Sequence, residues 1–492
     1  MAEKKMQWDS NFSFLMAMIG AAVGLGNIWR FPYVLYSNGE GTFLIPYVVS
    51  LVFLGLSFIL FEYAIGYKFK TSVLDICKKI RDRFQMVGWS LCLIVFIVTT
   101  YYICIVGWDL IYLVLSFFKG WGANPDGFFS QTLLQSTPSI AGITTVIPVI
   151  LVSTVIVWAA IWYISHKDLN DGIGKFTKWI VPLLVVLMAI VVFYSLTLPG
   201  ASLGYGEFVN VDWGSLANPN VWLAAFGQVL FSLSLGMGIV IAYASYLPEN
   251  SNLTKNAVIV LGANSGFEIF NALGIFSILG FMALESGAPL NTLVSEGTGL
   301  AFVAFPKVFN VMGPASGIIG PIFFLCILIA GITSAVGMIE PLVSSLADRF
   351  EISRKRSATI VVVAGILITS IFTTGAGNYL LTIFDEFLNN YALIFIIILQ
   401  CIIFGWYYKI DNLIEVLDNN ALFKVGRLWK AVIKFAIPII LAIIWVHSIF
   451  TQLVVKGPDV LVIDALITIV LIVVPIILYY RTKTLEGKSN ES

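Results

Sequence analysis

Residues 20–32 of the chain read Gly-Ala-Ala-Val-Gly-Leu-Gly-Asn-Ile-Trp-Arg-Phe-Pro, within an apolar run that begins near Phe12. Three glycines weaken a helix at this point and free backbone groups that a ligand can use. Asn27 and Arg30 then place an amide and a fixed positive charge at membrane depth, where an arginine costs several kcal/mol. The stretch predicts a broken transmembrane helix that lines a site. Close packing of two helices through small residues is the alternative.

The composition predicts an integral membrane protein. Of 492 residues, 59% are hydrophobic and 11% are charged, and the mean hydropathy is +0.94. The net charge is zero and the sequence has no basic block, so we expect no nucleic-acid partner. Five cysteines lie in or beside apolar segments, which predicts no disulfide framework.

Apolar segments long enough to span a membrane occur twelve times. They fall near 12–36, 42–67, 87–118, 143–165, 176–199, 220–247, 255–285, 313–346, 357–376, 379–408, 431–451 and 460–480. An even number places both termini on one side, and 24 of the 28 Lys and Arg residues lie on that side. The positive-inside rule therefore predicts a multi-pass protein of the plasma membrane with both termini in the cytoplasm.

A second interruption, Ser-Leu-Ser-Leu-Gly-Met-Gly at residues 232–238, lies in the sixth segment. Paired interruptions at corresponding positions of two halves are typical of transporters built from inverted repeats. We therefore divide the chain into two repeats and three flanking parts. These are a cytoplasmic segment 1–11, a first repeat 12–199, a second repeat 220–408, helices 11 and 12 within 409–481, and a cytoplasmic tail 482–492.

Three motifs resemble those of the neurotransmitter:sodium symporter family, especially its bacterial amino-acid transporters of the leucine-transporter type. They are Gly-Leu-Gly-Asn-Ile-Trp-Arg-Phe-Pro at 24–32, Gln-Val-Leu-Phe-Ser-Leu-Ser-Leu-Gly-Met-Gly at 228–238, and Ala-Gly-Ile-Thr-Ser at 330–334. The resemblance implies an all-α membrane protein of twelve transmembrane helices, with two inverted five-helix repeats and with helices 1 and 6 unwound at mid-membrane. It also implies sodium-coupled symport by alternating access.

The chemistry of broken helices agrees with this resemblance. The N–H end of one half attracts a carboxylate and the carbonyl end of the other attracts cations, so a zwitterionic amino acid matches both ends. Sodium, like other hard cations, prefers oxygen ligands. The oxygen-bearing side chains near the breaks are all uncharged, which suits a monovalent ion: Asn27, Ser232, Asn264, Thr333 and Ser334.

The resemblance also implies residues for two sodium sites and a substrate site. The first sodium site would use the carbonyl of Ala22 and the side chains of Asn27, Ser232 and Asn264. The second would use carbonyls of Gly20, Val23 and Ala330 and hydroxyls of Thr333 and Ser334. The substrate would contact Ala22, Leu25, Gly26, Val98, Tyr102, Phe231, Ser232, Ser234, Met237, Ser334 and Met338.

Without the resemblance, some of these residues have simpler interpretations. Thr333 and Ser334 could bond to their own helix backbone, and Val98 and Met338 could be ordinary core residues. Gly24 occupies the position where monoamine carriers of the family have an aspartate. We therefore expect an amino-acid substrate that carries its own carboxylate, neutral and with a hydrophobic or aromatic side chain.

The resemblance implies an outer gate and an inner gate. Outside, Arg30 would pair with Asp385. Inside, Lys5 would pair with Asp348, with two aromatic residues nearby. These aromatic residues are Trp8 and Tyr246. Lysine lacks the bidentate fork of arginine, so a solvated Lys5 is the alternative.

Three further carboxylates lie at membrane depth. Glu268 is four residues after Asn264, where chloride-dependent members of the family have a serine. Its charge would replace the anion, so we expect chloride-independent transport, and it could also exchange a proton. We expect Glu62 to hydrogen-bond backbone freed by a helix break and Glu340 to be a structural partner on the cytoplasmic half.

Three other functions stay open at this point: a transport-dead sensor, a channel, and a membrane-embedded enzyme. An enzyme would need a nucleophile and base or a metal cluster. The two histidines are isolated and the sequence has no Gly-x-Ser-x-Gly, so we expect no enzyme. The expected partners are the amino acid, Na⁺ and the lipid bilayer. The sequence leaves open the preferred amino acid, the number of sodium ions, and whether the protein is a monomer or a homodimer.

Overall fold

The structure is a computed structural model that describes residues 6–290, 297–452 and 456–490, almost all of them helical. Besides short turns, the helices in chain order are α1 (Asn11–Ala22), α2 (Gly26–Ser37), α3 (Gly41–Phe69), α4 (Val73–Ile80), α5 (Asp82–Ser116), α6 (Pro148–Ser165), α7 (Asn170–Leu196), α8 (Ala201–Val209), α9 (Pro219–Ser232), α10 (Ile239–Ser245), α11 (Leu253–Ser286), α12 (Leu300–Val311), α13 (Gly313–Phe350), α14 (Arg354–Phe372), α15 (Gly377–Tyr407), α16 (Asp411–Asp418), α17 (Arg427–Phe450) and α18 (Pro458–Thr484). This confirms the all-α membrane class.

Ten of these helices, within the described ranges, are long and apolar enough to cross a membrane. The pair α1 and α2, bent by 57° at its break, makes an eleventh span if it counts as one. The segment predicted at 220–247 contains α9 and α10, of 14 and 7 residues, separated by residues 233–238. The total of twelve spans therefore stays a prediction.

The first break lies between α1 and α2 and is packed tightly through its glycines. Val23 leaves the helical conformation with ψ of 95°, and its N–H still donates to the Ile19 carbonyl at 2.7 Å. A Cβ on Gly26 would lie 2.5 Å from the ring of Phe231. A Cβ on Gly24 would lie 2.6 Å from the Ser334 hydroxyl. Only glycine lets this segment approach α9 and α13 so closely.

The second break, between α9 and α10, depends on left-handed backbone. Gly236 and Gly238 have φ of 78° and 75°, which glycine adopts without strain. The Gly236 N–H donates to a carboxylate oxygen of Glu62 at 3.2 Å, and the Gln400 amide donates to the Gly236 carbonyl at 3.0 Å. These bonds satisfy backbone that the break removes from the helix, as expected for Glu62.

The packing around these breaks has a central and a peripheral part. In the most apolar stretch of each helix, 89% of the residues of α5 and 78% of those of α13 are buried, and the two helices pack against each other. In the same stretch of α17 and α18 only 17% and 22% of the residues are buried. The helices α5 and α13, which both line the cavity described below, are therefore held in the interior, and the last two helices lie at the periphery.

We predict that Gly280→Ala destabilises the contact between α8 and α11. A Cβ on Gly280 would lie 2.4 Å from the Gly204 nitrogen and 2.6 Å from the Gly200 carbonyl oxygen. Overpacking of this kind costs about 1–3 kcal/mol, so the melting temperature of the purified protein should fall. Gly262→Ala on the same helix is the control, because nothing lies within 4 Å of its Cβ. Equal melting temperatures for the two variants would contradict the prediction.

Candidate functional site

Both helix breaks open into one cavity of about 660 Å³. Its walls come from α1, α2, α5, α9, α13 and α15 and from the two breaks. All the residues predicted to contact a substrate line it: Ala22, Leu25, Gly26, Val98, Tyr102, Phe231, Ser232, Ser234, Met237, Ser334 and Met338. The fold thus brings together residues that are separated by more than three hundred positions in the sequence, which the motifs alone could not establish.

At the first break the backbone offers donors beside a hydroxyl. The Leu25 N–H points to the Tyr102 hydroxyl at 3.4 Å, and the Gly24 N–H donates to the Asn27 side-chain oxygen at 2.9 Å. The Leu25 bond is long, so this amide and hydroxyl can both turn to a carboxylate. The Ala21 carbonyl accepts from Ser234 at 3.2 Å and from Ser334 at 3.0 Å. These two bonds tie the first break to the second and to α13.

Three side chains predicted for the first sodium site form one buried layer, the Asn27 layer. The Asn27 amide donates to the Asn264 oxygen at 2.9 Å and to the Ser232 hydroxyl at 3.2 Å. The Asn264 amide also donates to Ser232, at 2.6 Å. Each of the three is at most 2% exposed, and all are uncharged. The fourth predicted ligand, the Ala22 carbonyl, belongs to a residue that lines the same cavity.

The residues predicted for the second sodium site are only partly assembled. The Thr333 hydroxyl donates to the carbonyls of Ile329 and Ala330, both at 3.0 Å, which is bonding within its own helix. Gly20 lies against Thr333, since a Cβ on Gly20 would be 3.4 Å from the Thr333 Cβ. Among the described residues, the Val23 carbonyl accepts no hydrogen bond from Thr333 or Ser334.

A second buried layer, the Glu268 layer, lies one helical turn away from the first. Glu268 accepts hydrogen bonds from the Tyr47 hydroxyl and, at 2.7 Å, from the Gln228 amide. The Gln228 oxygen in turn accepts from Arg30. Gln228 and Ser232 are four residues apart on α9, as Asn264 and Glu268 are on α11, so each helix contributes to both layers. The acid predicted to replace chloride therefore lies next to the Asn27 layer.

The residues predicted for the outer gate line the upper part of the cavity. The Arg30 guanidinium lies over the Phe231 ring, 4.7 Å from its centroid. Asp385 accepts from the hydroxyl of Tyr101 and the amide of Asn389, both at 2.8 Å. Arg30 and Asp385 thus face one cavity. Their direct pairing stays a prediction.

The N-terminal segment, which the sequence predicts to be cytoplasmic, packs against α10. The Trp8 indole donates to the Tyr243 carbonyl at 2.9 Å, and the Trp8 N–H donates to the Tyr246 carbonyl at 3.0 Å. Asp348 accepts from the Ser72 N–H at 3.0 Å. Lys5 lies outside the described residues. The proposed pairing of Lys5 with Asp348 is therefore not tested by the structure.

Glu340 forms a buried ion pair that the sequence did not identify. Arg354 donates to both of its oxygens at 2.6 Å, and the Tyr246 hydroxyl donates to it at 2.9 Å. Arg354 also donates to the Lys167 carbonyl at 2.9 Å. Glu340 is fully buried. This confirms its expected structural role and adds Arg354 as its partner, connecting α10, α13 and α14.

Several polar side chains at the breaks were given no role by the sequence motifs. The Asn271 amide donates to the carbonyls of Asn27 and Ile28, at 2.9 and 3.0 Å, and so holds the start of α2. Its position, seven residues after Asn264, puts it on the same face of α11, which is a signal that could have identified it. Gln228 has the same kind of signal, four residues before Ser232. Tyr47 and Gln400 have none, since they come from distant helices.

A helical membrane protein whose paired helix breaks open into one cavity has the architecture of a secondary transporter. The model of the sodium:neurotransmitter symporter family matches residues 5–125 and 122–484, so the chain belongs to that family. The family consists of sodium-coupled transporters of small molecules and not of enzymes. The protein is thus a sodium-dependent transporter of the membrane.

Individual relatives agree with the family assignment. An uncharacterized sodium-dependent transporter of Methanocaldococcus jannaschii is 42% identical over 89% of this chain and 89% of its own length. A sodium-dependent nutrient amino acid transporter of Drosophila grimshawi is 27% identical over 93% of this chain and 78% of its own. The sodium- and chloride-dependent GABA transporter 2 of Bos taurus is 26% identical over 91% of this chain and 80% of its own length.

We predict that Glu340 and Arg354 are strongly coupled in stability. Arg354→Met should leave a buried, unpaired carboxylate and cost about 3–5 kcal/mol, and Glu340→Leu should leave a buried, unpaired guanidinium and cost a similar amount. The double variant Glu340→Leu/Arg354→Met should recover much of the loss, because no unpaired charge remains. Melting temperatures of the three variants check this, and strictly additive losses would refute the coupling.

Proposed function

We propose that this protein is a symporter of neutral L-amino acids with hydrophobic or aromatic side chains, driven by Na⁺ and working by alternating access. The proposal places it in the plasma membrane with both termini in the cytoplasm. One observation carries it: two members of the uncharged Asn27 layer, Asn27 and Ser232, line the same cavity as Leu25 and Tyr102, whose amide and hydroxyl lie at the first break. Oxygen atoms for a cation and donors for a carboxylate thus face the same cavity.

The cavity walls favour a neutral substrate that brings its own carboxylate. Gly24 has no side chain, and its backbone lies against Ser334 and Tyr102. The side-chain part of the cavity is formed by Val98, Phe231, Met237 and Met338, and methionines adapt to different apolar shapes. The nutrient amino acid transporter of Drosophila grimshawi is a relative whose name agrees with this substrate class.

Two sodium sites belong to the proposal. The first consists of the Asn27 layer, the Ala22 carbonyl and the substrate carboxylate, so that ion and substrate complete each other. The second consists of the Gly20, Val23 and Ala330 carbonyls with Thr333 and Ser334. In the structure the Thr333 hydroxyl donates to the Ala330 carbonyl and the Ser334 hydroxyl donates to the Ala21 carbonyl. A bound sodium ion would have to replace these hydrogen bonds with its own contacts to the hydroxyl oxygens.

The first test is uptake into liposomes under an inward Na⁺ gradient. We expect accumulation of a labelled hydrophobic amino acid with Na⁺ and none with K⁺. Asn27→Ala should lower coupled uptake roughly tenfold or more, because a partner of a charged group contributes about 1.5–3 kcal/mol. Asn220→Ala is the matched control, since Asn220 is exposed at the start of α9.

Equal uptake in Na⁺ and K⁺ would overturn the proposed coupling. Uptake that equilibrates but never exceeds the external concentration would indicate a channel instead. An Asn27→Ala variant that keeps full Na⁺-dependent uptake would remove Asn27 from the first site.

We also propose that transport needs no chloride. The support is the position of Glu268, which is fully buried one turn from Asn264 and bonded to Tyr47 and Gln228. A carboxylate there supplies the negative charge that a nearby sodium ion requires. The bovine GABA transporter is named as chloride-dependent, so the family contains both kinds of transporter if this proposal holds.

Replacement of the buried acid tests this point. Wild-type uptake should be the same in chloride and in gluconate, whereas Glu268→Ser should require chloride, because an anion must then supply the missing charge. Glu285→Ser, on the exposed end of the same helix, is the control and should behave as the wild type. A Glu268→Ser protein that is equally active in both salts would refute the role of Glu268.

A further inference from the structure

Asp109 on α5 is a buried acid that neither sodium site nor gate uses. Its side chain is 0% exposed, and in the part of the chain that the structure describes neither carboxyl oxygen accepts a hydrogen bond. The hydroxyl of Tyr112, three residues further along the same helix, also lacks a partner there. Buried polar atoms are nearly always satisfied, so these two groups require an explanation.

The surroundings of Asp109 are aromatic and apolar. Trp108 and Tyr112 both pack on Phe302, with ring centroids 6.1 and 5.0 Å apart. Phe302 in turn packs on Trp29, at 6.1 Å, and Trp29 lines the cavity. These rings form a shell beside the cavity, of which Asp109 is not a lining residue.

The titratable groups around Asp109 offer no compensating charge. The Tyr102 hydroxyl of its own helix and the Cys326 thiol of α13 lie near it, and both are neutral groups. The Tyr112 hydroxyl lies three residues further along the same helix. Gly107 packs on Thr154 of α6, which does not titrate. No Lys, Arg or His among the described residues pairs with Asp109.

A charged, unpaired carboxylate among these apolar side chains would have a high free energy, because burial of an isolated charge in a medium of low polarity is strongly unfavourable. A sodium ion would need several oxygen ligands, and the neighbours here are rings and a thiol. A proton needs only one carboxyl oxygen. We propose that Asp109 is a proton-binding site, separate from the sodium sites and from Glu268, and that loss of its proton sets the alkaline limit of transport.

The position of Asp109 explains why its charge would affect transport. It lies in the contact of α5 with α13, seven residues or about two helical turns after Tyr102. Tyr102 on α5 and Ser334 on α13 both line the cavity. A charged Asp109 would draw water into this contact and so disturb the spacing of the two walls. A neutral Asp109 leaves the contact dry.

Infrared spectroscopy of the purified protein tests the proton directly. Wild type should show a carbonyl stretch of a protonated carboxyl group that shifts when aspartate is labelled with carbon-13, which separates it from buried glutamates. The band should be missing in Asp109→Asn and present in Asp126→Asn, whose carboxylate is exposed. If no protonated aspartate band exists in the wild type, the proposal is wrong, whether or not the variants fold.

A salt comparison separates a proton from a metal ion. The band should be the same with Na⁺ and with N-methylglucamine as the cation, because the proton occupies Asp109 in both. Disappearance of the band when Na⁺ is added would identify a cation site and overturn the proposal.

The transport part rests on the proposed symport, while the infrared part does not, so the two can fail separately. As the pH of the medium is raised, wild-type uptake should fall when Asp109 loses its proton. Asp109→Asn, which is always neutral, should keep its uptake at the alkaline end, and Asp126→Asn should follow the wild type. The same alkaline loss in Asp109→Asn and wild type would show that Asp109 does not set the limit.

Discussion

The structure depends on satisfying backbone groups that two interrupted helices leave free in an apolar interior. Water is excluded from such an interior, so buried side chains must replace the backbone hydrogen bonds that the interrupted helices lack. Glu62 and Gln400 bind the amide and carbonyl of Gly236 at the second break. Asn271 binds the carbonyls at the start of α2 after the first break. Polar residues that would destabilise a membrane protein elsewhere are therefore required here.

The same need creates the candidate site. Backbone held open at the breaks leaves donors and oxygens facing one cavity, and α9 and α11 add side chains in two layers one turn apart. The Asn27 layer is uncharged, whereas the Glu268 layer contains an acid connected through Gln228 to Arg30. The proposed cation site thus lies next to a buried carboxyl group that is connected to a residue of the cavity wall.

The two ends of the molecule differ in this structure. At the predicted outer gate, Arg30 and Asp385 line the cavity. At the predicted inner gate, Trp8 is bonded to α10, and Glu340, Arg354 and Tyr246 connect α10, α13 and α14. The buried pair of Glu340 and Arg354 lies next to the contact between Trp8 and α10, because Tyr246 accepts a hydrogen bond from Trp8 and donates one to Glu340.

The sequence by itself determined the membrane class and the two breaks, because hydropathy and glycine spacing are local properties of the chain. The grouping of Asn27, Ser232 and Asn264 came from the resemblance to a family and not from any local pattern. Only the tertiary structure decided which helix faces meet. Helical periodicity tells which residues share a face but not which distant face lies opposite. Tyr47, Gln400 and Arg354 come from elements far along the chain, and no local pattern assigns them to Glu268, Gly236 and Glu340. Likewise, the sequence shows Asp109 only as one polar residue in an apolar segment. The tertiary structure shows that no group in the described chain donates a hydrogen bond to its carboxyl oxygens.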